Sequence, residues 1–245
     1  MCIRVLFFWR TLLFMKHLHT YFSKGELILW ISSLVFILIS YLAFDRSNHL
    51  TLIASLIGAT SLIFCAKGNP LGQFLIIIFG ALYAVISYSF AYYGEMITYL
   101  GMTVPMAVIS LISWLKNPYN GNKAEVKVNA IRKREFLFLC GLTVVITVAL
   151  YFVLDALGTS NIVMSTISVA TSFFAAYLTF RRSPYYALAY ALNDIVLVVL
   201  WILAALTDIS YLSVIVCFIM FLINDLYGFI NWRRMQKRQR DNTHV

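Results

Sequence analysis

The sequence predicts an all-α integral membrane protein that crosses the bilayer with about eight helices. Three observations predict it. Of the 245 residues, 62% are hydrophobic and only 12% are charged, against roughly 25% charged in soluble domains, so a water-exposed surface cannot be covered. Apolar runs near 20 residues recur along the chain, the length that crosses a hydrocarbon core of about 30 Å. The segments between those runs alternate in charge as membrane topology requires.

Eight spans follow in order: Glu26 to Phe44, Leu50 to Ala66, Pro70 to Tyr92, Met96 to Leu115, Phe136 to Leu157, Asn161 to Phe180, Pro184 to Leu206 and Ile209 to Trp232. With the N-terminus inside, the inside segments hold 18 of the 19 Lys and Arg residues, and the outside loops hold only Arg46 beside Asp45, Glu95, Asp155 and Asp208. Miscounting by one helix would destroy this pattern, which places both termini in the cytoplasm. The net charge of +9 is therefore a topology signal rather than a nucleic-acid footprint. Cys2, Cys65, Cys140 and Cys217 have neither CxxC nor Cys/His ligand spacing, so no disulfide or metal site is implied.

Residues 1–25 form an N-terminal segment in which Val5 to Phe14 is too short to span and is broken by Arg10, as in an interfacial helix; Met15 is an alternative start. Residues 26–44 form an extra N-terminal helix, 49–115 a first group of three, 136–157 a linking helix and 161–232 a second group of three. Residues 116–135 read as a basic linker with Asn117, Pro118, Asn120, Gly121 and Asn122 as turn formers, and 233–245 as a basic tail.

The two groups echo each other. Ala59-Thr60-Ser61, Asn69-Pro70, Ile97-Thr98-Tyr99-Leu100 and Ile112-Ser113-Trp114 are followed in the same order by Ala170-Thr171-Ser172, Ser183-Pro184, Ile209-Ser210-Tyr211-Leu212 and Ile230-Asn231-Trp232, at offsets of 111 to 118. One intervening helix makes the repeats parallel, an arrangement known in SWEET-type carriers.

Chemistry concentrates in the seventh and eighth spans. Asp194 and Asp225 lie in apolar surroundings, where a charged carboxylate costs roughly 2.5 to 3.5 kcal/mol on insertion scales. Tyr186, Tyr190, Asp194 and Trp201 share one helical stripe with Asn193 beside it; Tyr185 and Tyr186 also suit the interfacial aromatic belt. Aromatic faces around a carboxylate suit a flat or cationic organic ligand. Asn224, Tyr227 and Asn231 form a second polar face, either helix glue or a solute path. An ion pair with Arg233 or Arg234 is within reach of Asp225, which gives that residue a structural reading. The first half offers Gln73, Tyr83, Tyr88, Tyr99 and Thr103. Walker, HExxH, GxSxG and Rossmann motifs are absent, and a membrane transferase would want clustered carboxylates of the DxxxD kind, so the chain reads as a carrier and not an enzyme.

Gly94-Glu95, Pro105-Met106, Trp114-Leu115-Lys116-Asn117 and above all Leu222-Ile223-Asn224-Asp225-Leu226-Tyr227-Gly228-Phe229-Ile230-Asn231-Trp232-Arg233 resemble the nicotinamide riboside transporters of the PnuC type, from about Leu50 to Arg234. The resemblance implies a bacterial plasma-membrane carrier of two three-helix bundles joined by a linker helix, often trimeric. Its implied substrate is a phosphate-free vitamin precursor, passed by facilitated diffusion and trapped by a cytoplasmic kinase, with no cofactor. By position it assigns Asp194, Trp201, Asn224 and Tyr227 to the substrate; Asn193, Tyr190, Gln73 and Tyr83 complete the candidate set. Tyr190 stands where the family commonly has Trp, and Phe79 where it commonly has Asn. Related Pnu proteins take thiamine or deoxyribonucleosides, which stand as alternative substrates.

Overall fold

The structure, a computed structural model, describes residues 21–46, 48–89, 93–159 and 161–242; most of the expected N-terminal interfacial segment lies outside them. Ser23 opens the first helix, α1 (Lys24–Phe44), with a capping box: its hydroxyl accepts from the Glu26 N–H, and the Glu26 carboxylate accepts from the Ser23 N–H at 2.7 Å. Helix α2 (His49–Ala66) turns into α3 (Pro70–Ser89) through Gly68, whose φ of +67° suits a residue without Cβ. The hairpin is close: a Cβ on Gly72 would lie 2.6 Å from the backbone nitrogen of Cys65.

Helix α4 is wound in three pieces, Tyr93–Thr98, a π-helical turn Tyr99–Thr103 and Val104–Leu115. Pro105 supplies the cause. It has no N–H to give to the carbonyl one α-turn back, and the Val104 N–H reaches past its usual acceptor to the Tyr99 oxygen. Beyond α4 come a short hairpin, β1 (Pro118–Tyr119) and β2 (Asn122–Val126), then α5 (Lys133–Ala156), α6 (Ile162–Phe180), α7 (Tyr186–Ala205), a 3-10 turn (Ile209–Tyr211) and α8 (Leu212–Asp241). Where the sequence suggested only a linker, positive φ at Asn120 and Gly121 closes the two strands into an antiparallel pair. Asp208 caps the 3-10 turn, and the Ser210 N–H that it accepts holds its carboxyl below the usual carboxylate range. Helix α8 runs past Trp232 to Asp241 because Arg, Gln and Lys there are good helix formers with no Gly or Pro to stop them.

Among the described residues, eight helical segments are long and apolar enough to cross a membrane, and Leu137, Val144, Val145 and Phe152 on α5 and Ile28 and Ile31 on α1 expose their side chains as a lipid-facing belt requires. Six helices close a ring, α2–α3–α4–α6–α7–α8 and back to α2; α1 packs outside against α2 and α8, and α5 outside against α6. The ring is latched across its two halves by hydrogen bonds that recur in both. Trp114 donates to the Thr179 carbonyl at 2.9 Å and Trp232 to the Cys65 carbonyl at 2.8 Å. Ser113 donates to the Phe180 carbonyl and Asn231 to the Ala66 carbonyl. Donors are 118 positions apart and acceptors 114, in keeping with the echoes in the sequence.

All of these latches lie at the basic end of the bundle, where the chain after β2 forms a strap across both halves. The Val126 N–H bonds the Gly68 carbonyl, and Asn129 donates its N–H and its side-chain amide to the carbonyls of Arg182 and Arg181. Gln239, on the extension of α8, accepts from the Val128 N–H and donates to the Val126 carbonyl. Ion pairs Glu26–Lys67, Glu135–Arg181 and Glu125–Arg238 border this end.

Candidate functional site

At the centre of the ring, α2, α3, α4, α6, α7 and α8 enclose a cavity of about 70 Å3. Its polar lining is Asn193 and Asp194 from α7, Asp225 from α8, Tyr99 and Thr103 from α4, Ser61 from α2 and Ser172 from α6, with Tyr190 on the α7 stripe. Phe79, Phe218, Phe221 and aliphatic side chains complete the wall. Tyr99 and Thr103 are the first and last residues of the π-helical turn, so the irregular winding forced by Pro105 is what presents both to the cavity.

Asp194 and Asp225 are both buried and line the same cavity, with their carboxyl groups close enough to interact. No donor among the described residues reaches the Asp194 Oδ2, and the lining contains no Lys, Arg or His. Two ionised carboxylates in contact repel, so this pair is held by a shared proton or by a cation lying against it. The side chain of Asn193 is oriented by α6: its carbonyl oxygen accepts from Thr171 at 2.8 Å and Ser172 at 2.9 Å. That leaves its amide N–H groups as the donors it can offer a ligand.

Aromatic layers close the cavity at both ends. Toward the basic end, Trp114, Trp232 and Tyr186 pack at centroid distances of 4.9 to 6.3 Å, all buried. Toward the opposite end, Tyr83 lies 4.6 Å from Tyr99 and 6.3 Å from Trp201, and Trp201 lies 5.3 Å from Tyr211.

Of the residues predicted from sequence, Asp194, Asn193 and Tyr190 line the cavity, while Trp201 and Tyr83 belong to the aromatic layer beside it. The other three are placed elsewhere. Gln73 is buried between α2 and α3, donating to the Cys65 sulfur. Asn224 faces the added helix α1, donating to Ser33 at 2.8 Å, and Tyr227 donates to Glu26 at 2.9 Å, beside Lys67. The structural reading of Asp225 is corrected: no ion pair to Arg233 or Arg234 forms among the described residues, and the carboxyl turns inward to Asp194. Phe218 and Phe221 carried no sequence signal, because such residues are ordinary in membrane helices; Ser61 and Ser172 were marked only as matching positions of the echoed Ala-Thr-Ser triplets.

The family described as nicotinamide mononucleotide transporter matches this chain over residues 48–234, which leaves α1 outside the match. Two curated relatives are similar to it, both named nicotinamide riboside transporter PnuC. The one from Neisseria mucosa is 29% identical over 199 residues, covering 80% of this chain and 76% of the relative. The one from Haemophilus influenzae is 26% identical over 192 residues, covering 78% and 82%. A solved structure, described as the crystal structure of the vitamin B3 transporter PnuC, superposes with a TM-score of 0.79 at 26% identity, covering 89% of this chain and 94% of the other.

Proposed function

This chain belongs to the nicotinamide mononucleotide transporter family, and from that membership we propose that it carries nicotinamide riboside into a bacterial cell. The observation that carries this reading is the carboxyl pair Asp194–Asp225 in a buried cavity without a basic residue. Nicotinamide riboside bears a fixed cation on its ring and no phosphate. The mononucleotide named by the family adds a phosphate, whose charge would face two carboxyls and no Lys, Arg or His. Like charges at this range in a poorly screened interior are strongly unfavourable. The riboside therefore suits the cavity and the mononucleotide does not.

In this reading, one face of the pyridinium lies against Asp194 and Asp225, Tyr190 and Tyr99 stack or bond at its edges, and the Asn193 amide serves the carboxamide or ribose. Tyr83 and Trp201 form the lid on the outer side. A cavity of about 70 Å3 is small against the roughly 300 Å3 or more of typical ligand pockets, so Phe79, Phe218 and Phe221 must swing as the solute enters. The two three-helix halves move against each other, with the basic end in the cytoplasm as the charge asymmetry favours. Movement is facilitated diffusion through a plasma-membrane oligomer, and a cytoplasmic kinase retains the product by adding the phosphate that the cavity rejects.

Purified protein in liposomes should take up radiolabelled nicotinamide riboside faster than empty vesicles and should not take up the mononucleotide. Thiamine, also a ring cation, belongs in the same assay as competitor. No riboside uptake above empty vesicles would contradict the assignment, and accumulation of unmodified solute against its gradient under an imposed proton or sodium gradient would contradict uncoupled diffusion.

A further inference from the structure

A second cavity lies outside the ring, where α5 and α7 stand apart over α6. This groove, of about 810 Å3, has a floor of Phe174 and Leu178 and walls that include Leu137 and Leu192. Leu137 and Leu192 expose more than half their surface, and both belong to membrane-spanning helices, so the groove faces lipid along its length. Its mouth at the basic end is different in kind. Lys133 and Arg233 flank it, no Asp or Glu lines it, and neither cation makes an ion pair among the described residues. Arg233 is held there by stacking on the Tyr185 ring at 5.3 Å and by a 2.8 Å bond to Gln236.

We propose that this groove is a binding site for an acidic glycerophospholipid of the leaflet at the basic end, its acyl chain lying over Phe174 and Leu178 and its phosphate between Lys133 and Arg233. Charge complementarity selects this occupant. A zwitterionic lipid brings its own cation to two cations, whereas an anionic headgroup meets them with net attraction; basic pockets between membrane helices hold acidic headgroups in this way. The positive end of α5, which begins at Lys133, adds to the same field. Nothing in this site touches the central cavity, so its test is separate from that of the transported solute.

Native mass spectrometry of the full chain, released from neutral detergent containing phosphatidylglycerol, phosphatidylcholine or inorganic phosphate, measures the site directly. Phosphatidylglycerol should stay bound selectively, and inorganic phosphate should not. The double substitution Lys133→Gln with Arg233→Gln should weaken that retention about tenfold or more. The control pair Lys237→Gln with Arg240→Gln, which removes equal charge outside the groove, should leave it unchanged. Both pairs change exposed side chains and keep the fold, so the comparison stands even if the groove-filling Leu188→Trp does not express. Where it expresses, it should expel the lipid without changing the number of chains in the complex. Equal retention of phosphatidylcholine, equal loss in the control pair, or a Leu188→Trp protein that dissociates while keeping its lipid would each overturn the proposal, the last because a second copy would then be covering the groove.

Discussion

Asp194 and Asp225 meet across two helices, and that meeting defines the site. That Asp194, Asn193 and Tyr190 face the interior cavity was legible from the sequence, because a carboxylate within an apolar, aromatic stripe must turn away from lipid. Trp201 shares the stripe, but seven residues of helix put it about 10 Å further along the axis, so the same face reaches a different depth. Asp225 was assigned the wrong partner for a plain reason: sequence shows Arg233 and Arg234 two turns away but not the neighbouring helix that brings Asp194 nearer. Asp225→Asn should therefore keep the fold and weaken binding of a cationic solute about tenfold, the cost of losing one charge-assisted contact of about 1.5 kcal/mol. Arg234→Gln should leave binding unchanged. Titration calorimetry of both variants with nicotinamide riboside decides between them, and a loss in Arg234→Gln equal to that in Asp225→Asn would restore the ion-pair reading.

Single helices show where local sequence was sufficient and where it was overridden. All eight spans could be placed because apolar runs and basic loops are dictated by the bilayer itself. The π-helical turn of α4 was not foreseen, although Pro105 was visible, because a proline inside a span can equally kink a helix without changing its winding. The polar face of α8 was legible as inward-facing, yet Asn224 and Tyr227 spend it on α1, a helix that lies outside the family match. Trp114 and Trp232 stood in the sequence as one echo among several and within the runs that carry the family resemblance, neither of which gave them a partner; the structure gives each a buried N–H bond to the opposite half. Trp232→Phe keeps a six-membered ring but removes the rest of a fully buried indole and leaves the Cys65 carbonyl without that donor, so a cavity cost adds to the roughly 1 to 3 kcal/mol of the lost bond. Thermal unfolding in detergent should show a lowered Tm for Trp232→Phe and a similar drop for Trp114→Phe. An unchanged Tm in both would mean that the latches contribute nothing to holding the halves together.

Over the whole molecule, charge decides orientation and the ring decides where a solute can sit. The distribution of 18 of 19 basic residues onto alternate segments made the number of spans readable before any helix was seen, since it depends on counting and not on packing, and it predicts that both termini face the cytoplasm. The closed ring and the strap from Val126 to Asn129 were not readable, because they rest on backbone carbonyls at helix ends that carry no residue signature. In a background with its cysteines replaced by alanine, a membrane-impermeant maleimide should label Lys237→Cys only in inverted vesicles and Arg46→Cys only in intact cells; the reverse pattern would invert the proposed direction of uptake. The central claim, that a buried carboxyl pair selects a phosphate-free cation, is tested most directly by titrating wild type and Asp194→Asn in detergent with nicotinamide riboside, its mononucleotide and a neutral nucleoside. Wild type should bind the riboside and reject the mononucleotide, and Asp194→Asn should bind the riboside about tenfold more weakly while the neutral nucleoside is unaffected. Equal riboside affinity in the two proteins, or tight binding of the mononucleotide to wild type, would contradict it.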